Sequence, residues 1–162
     1  MRNWFFLLTI VILGLIQVTI LNYVKIFNVK PDLLLISLLL SSLFFEMKWA
    51  FILGISAGIL KDIFATNIFG TNTLLFALWT YLIIKLSKKI SIDNNYIRAP
   101  LMFIVAFLTS IITRLMLLTQ GNVIPLGIAL RIMLLEPLYT ALIFPLILKY
   151  MQPMLSFKVI KR

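Results

Sequence analysis

Six apolar runs, separated mostly by short polar connections, occupy nearly the whole chain. A helix of about 20 apolar residues crosses the roughly 30 Å hydrocarbon core of a bilayer. Six such helices would use about 120 residues, and the chain has 162. Only 12% of its residues are charged, against 62% hydrophobic, and the mean hydropathy is +1.11. A soluble domain is usually about a quarter charged, and one small core cannot hide this much apolar surface. The sequence therefore predicts an all-α polytopic integral membrane protein with six transmembrane helices and no soluble domain. It predicts a single transmembrane domain over 1–162, with spans at about 4–24, 31–45, 48–65, 72–87, 100–119 and 128–150. Five spans remain if the second and third form a re-entrant pair. The first run carries no small-residue cleavage site, so an uncleaved helix is expected there.

The formal net charge is +10. In a membrane chain this excess is expected in loops that set orientation, rather than in a nucleic-acid surface. With six spans, ten Lys and Arg residues fall on the side of the termini and three on the other. Both termini are therefore expected in the cytoplasm. Trp4, Trp49, Tyr96 and Tyr150 then lie near the inner interface, where amphipathic aromatics prefer to sit.

Chemistry-bearing residues are sparse. There is no Cys and no His, so disulfides, Cys/His zinc sites and His-based acid–base catalysis are absent. A Ser or Thr nucleophile would lack a histidine base. No phosphate-binding glycine loop and no metal-ligand cluster stands out. No enzyme activity and no cofactor are expected.

The strongest local pattern is Gly54, Gly58 and Asp62. Spacings of four place the three along one helix face. Small residues four apart let another backbone approach closely in a bilayer. That backbone could belong to this chain or to a partner. A carboxylate at the end of a span is costly unless paired or wet, so Asp62 either finds a partner or reaches the outer interface. Arg114, Arg131 and Glu136 are the other costly intramembrane positions, with Gln17 a polar site late in the first helix. The expected pairings are Arg114 with Glu136 and Arg131 with Asp62. Pro31 suits a first helical position, and Asp32 suits the positive helix end. Pro137 and Pro145 should bend the sixth helix.

Several of these residues together resemble the bacterial rod shape-determining MreD family. They are Gln17, Pro31-Asp32-Leu33-Leu34, the Gly54, Gly58 and Asp62 series, Gly70 before the fourth helix and Tyr81 within it. The order, size and inside–inside topology are also similar, and the specific part lies in residues 31–81. The resemblance implies a non-enzymatic inner-membrane subunit of the cell-elongation machinery. It implies binding to the bitopic protein MreC. Through MreC it implies links to MreB, RodA and a class B penicillin-binding transpeptidase, which direct side-wall peptidoglycan synthesis. Gly54, Gly58, Asp62, Pro31, Asp32 and Gly70 would then serve helix packing or partner binding. The family's fold is distantly similar to the substrate-binding subunit of ECF vitamin transporters. That likeness supplies an alternative, in which Arg114, Arg131, Glu136 and Asp62 form a solute pocket. Membrane lipids are expected neighbours in either case.

Overall fold

The computed structural model describes residues 2–20, 23, 29–64, 69–89, 95–119, 121 and 125–155. Six helices make up their regular structure: α1 (Arg2–Val18), α2 (Leu33–Phe44), α3 (Met47–Phe64), α4 (Thr71–Lys89), α5 (Asn95–Thr119) and α6 (Leu126–Leu155). The all-helical class and the number of helices match the sequence reading.

Several boundaries differ, each for a local reason. The first helix ends at Val18, not near 24, and Thr19 and Ile20 form a turn. Asn22 lies outside the described residues, as do Lys25 and most of the connection that follows it. The second helix begins at Leu33, because Asp32 takes the capping position with extended backbone; Pro31 therefore precedes the cap. The fifth helix starts at Asn95 and includes Pro100. The sixth continues through Pro137 and Pro145. In an apolar medium a broken helix exposes unpaired backbone groups, so continuation past a proline is favoured.

The centre of the fold is α2. Ten of its 12 residues are buried, and α1, α3, α4, α5 and α6 all pack on it. A helix hydrophobic all round must be enclosed in this way. At about 1.5 Å per residue it is only about 18 Å long, too short to cross a bilayer alone. Among the described residues, the segments Ile97–Thr119 and Gly127–Met151 are long and apolar enough to do so. The remaining core comes from Phe6 and Ile10 of α1, Leu53 and Ala57 of α3, Phe76 and Ile83 of α4, Met102 of α5 and Phe144 of α6. The hairpin α5–α6 packs mainly on itself and meets the rest chiefly through α2.

The surface is inverted relative to a soluble protein. Large apolar side chains are exposed on α1, α3, α4, α5 and α6, including Phe5, Ile52, Leu74, Ile104 and Leu142. Buried positions hold Gln17, Asp32, Asp62, Asn72, Thr80, Thr109, Ser110 and Thr140. Such an exterior is stable against lipid and costly against water.

Candidate functional site

The helix α2 starts inside the protein, and the first N–H groups of any helix lack intrahelical partners. In a dry interior each must find an acceptor. Here three side chains supply acceptors for Asp32 N, Leu34 N and Leu35 N. Asp32 Oδ1 accepts from Leu35 N at 3.1 Å. Gln17 Oε1, from the end of α1, accepts from Leu34 N at 3.0 Å, and its amide donates to Asp32 Oδ1 at 3.3 Å. Thr140 Oγ1, from α6, accepts from Asp32 N at 3.1 Å while donating to Glu136 O at 2.7 Å. The remaining carboxylate oxygen of Asp32 is paired with Lys61 Nζ of α3. That ammonium also lies 5.2 Å from the centre of the Phe76 ring.

The start of α4 is solved differently. Its capping position is Gly70, whose carbonyl accepts from Leu74 N and whose φ of +98° suits glycine. Glycine has no side chain to cap the helix, so Asp62 of α3 does it across the interface. Its Oδ1 accepts from Asn72 N and Asn72 Nδ2, both at 2.9 Å. Its Oδ2 accepts from Thr73 N at 3.0 Å and from Thr73 Oγ1 at 2.5 Å. An anion at the second and third N–H groups of a helix also meets the positive end of its dipole.

The two glycines make this possible. A Cβ on Gly58 would lie 2.6 Å from Thr73 Cα, and one on Gly54 would lie 2.4 Å from Thr80 Oγ1. The close-approach face read from the sequence is thus packed against α4 of the same chain. The expected pairing of Arg131 with Asp62 is not formed, because α4 already satisfies the carboxylate, and Arg131 is exposed. Nor is Arg114 paired with Glu136; the ion pair at this site is Lys61–Asp32. Glu136 instead meets Ser110 Oγ at 3.5 Å. Tyr81 is exposed on α4, away from this network.

All six helices meet here: the ends of α1 and α3, the starts of α2 and α4, and the adjoining halves of α5 and α6. Between the hairpin and the other helices lies a cavity of about 90 Å³. Asp32, Lys61 and Asn72 line one wall, and Ser110, Arg114 and Glu136 the other. Among the described residues, no group of three or more His, Cys, Asp or Glu side chains could hold a metal ion.

Sequence reasoning did not anticipate Asn72, Thr73, Ser110 or Thr140. One signal was present. Gly70-Thr71-Asn72-Thr73 opens a helix with no capping side chain, which calls for an acceptor from elsewhere.

No curated protein and no solved structure matches the chain. A family model for rod shape-determining protein MreD matches residues 1–154. With almost its full length matched, the chain belongs to the MreD family, whose members are shape-determining proteins.

Proposed function

We infer that the chain is a multi-pass, non-enzymatic subunit of the cell-elongation machinery in the inner membrane, with both termini cytoplasmic. It binds an MreC-like bitopic protein and thereby couples MreB, RodA and a class B transpeptidase to side-wall peptidoglycan synthesis. The observation that carries this reading, beyond family membership, is the inverted surface around a single polar centre. Gln17, Asp32, Asp62 and Thr140 are spent on joining the bundle's own helices. What remains for a partner is apolar helix surface, which suits the transmembrane helix of a bitopic protein. One such face is the ridge Leu130, Leu134, Leu138, Leu142 and Leu146 on α6, each at least half exposed. The vitamin-transporter alternative draws no support from the cavity. At about 90 Å³ it is well below the roughly 300–1,000 Å³ of small-molecule pockets.

Gentle detergent co-isolation, read by mass spectrometry, tests the proposal. Recovery of an MreC-like protein with wall-synthesis components supports it. Recovery of an ATPase pair with a coupling membrane subunit refutes it. Photocrosslinkers at Leu134 and Leu142, compared with one on another exposed face at Ile104, then locate the contact.

A further inference from the structure

The cavity between the hairpin and the rest of the bundle contains unsatisfied hydrogen-bonding capacity. Asn72 is fully buried. Its amide nitrogen is fixed on Asp62, which turns Oδ1 away from that carboxylate, and no protein donor reaches this oxygen. Glu136 has one long contact, to Ser110. The Thr109 and Thr113 hydroxyl protons are spent on the backbone carbonyls of Val105 and Thr109, so their lone pairs remain free. Lys61 retains donor capacity beyond Asp32, since an ammonium carries three protons. The lining therefore offers several acceptors and at least one spare donor, facing each other across a gap. Apolar cavities stay dry, whereas a polar cavity with two to four partners per molecule holds water. About 10–15 Å³ of such space suffices for one water molecule, so a cavity of 90 Å³ has room for several.

We propose that this cavity is a built hydration site. Its ordered water bridges Asn72 and Lys61 on one side to Glu136 and Arg114 on the other, joining the hairpin to the bundle. Beside the cavity, Asp32 N donates directly to Thr140 Oγ1 across this seam. The rest of the polar joint is then made of exchangeable water, so the hairpin can shift without leaving a charge dry. Water also explains how Glu136 is tolerated in an apolar bundle without a cation in contact.

Water-edited solid-state NMR of the chain in phosphatidylethanolamine–phosphatidylglycerol vesicles tests this. Side-chain signals of Asn72, Thr109 and Ser110 should gain water magnetisation several-fold faster than those of Leu38 and Leu39, which are fully buried among apolar groups. Build-up as slow as that of the leucines would overturn the proposal. In Glu136→Leu, transfer to Thr109 and Ser110 should fall towards the leucine rate; unchanged transfer would show that the water is not held by these groups. Asn72→Leu gives the same reading from the opposite wall. Should that variant fail to fold through loss of the Asp62 contact, the native chain and Glu136→Leu decide.

Discussion

Replacing Gly58 by alanine should separate α3 from α4. The added Cβ would stand 2.6 Å from Thr73 Cα, 3.1 Å from Thr73 N and 3.2 Å from Asn72 O. All three are backbone atoms, so no side chain can turn aside. Carbon atoms settle at about 3.5–4.0 Å, so the helices must part by roughly 1 Å. That shift carries the Asp62 bonds to Asn72 N and Thr73 N, now 2.9 and 3.0 Å, beyond hydrogen-bonding range. Overpacking costs about 1–3 kcal/mol and the lost cap about 1 kcal/mol. Alanine's better helix propensity returns up to about 1 kcal/mol. The net loss should be about 1–3 kcal/mol. Gly14→Ala is the control: its Cβ would meet Phe64, Leu34 and Leu60 at 3.5, 3.6 and 3.9 Å, ordinary contact. It should be neutral or slightly stabilising. Equilibrium unfolding of the purified variants in mixed micelles compares them directly. Equal stability of the two variants would refute the argument.

Three further outcomes follow from the same geometry. Gly54→Ala should also destabilise, but its clash is with the Thr80 hydroxyl; adding Thr80→Ala should restore most of the loss in the same unfolding assay. Lys61→Met strands the buried Asp32 carboxylate and should cost about 3–5 kcal/mol. Adding Asp32→Asn should recover part of that, a coupling that a double-mutant cycle reads. Gln17→Leu leaves Leu34 N without its acceptor and should cost about 1–3 kcal/mol, seen as faster exchange at the start of α2.

Much of this site was legible one helix at a time. The spacing of Gly54, Gly58 and Asp62 gave the close-approach face, and Asp32 announced the start of a helix. What the sequence did not contain was the choice of partner. Asp32 finds Lys61, 29 residues away, and that choice depends on α2 being enclosed by five helices. Lys61 entered the sequence reading only as one of the three basic residues counted opposite the termini. Arg131 looked like a counter-charge for Asp62, yet α4's own N–H groups and Thr73 hydroxyl were nearer and already aligned. Backbone donors leave no mark in a charge pattern. The hydration site was equally hidden, since Asn72 and Ser110 are unremarkable residues until two helix pairs bring them to one cavity.

The most direct test of the account is cell shape. In the host bacterium, the native gene would be replaced by the unaltered chain, Gly58→Ala, Lys61→Met or Arg131→Ala, with membrane levels matched. The account predicts rods with the unaltered chain and with Arg131→Ala, whose side chain is exposed and outside the polar centre. It predicts rounded cells with Gly58→Ala and Lys61→Met, to the degree that each loses fold stability. Normal rods with both of the latter, or rods in cells lacking the chain altogether, would contradict it.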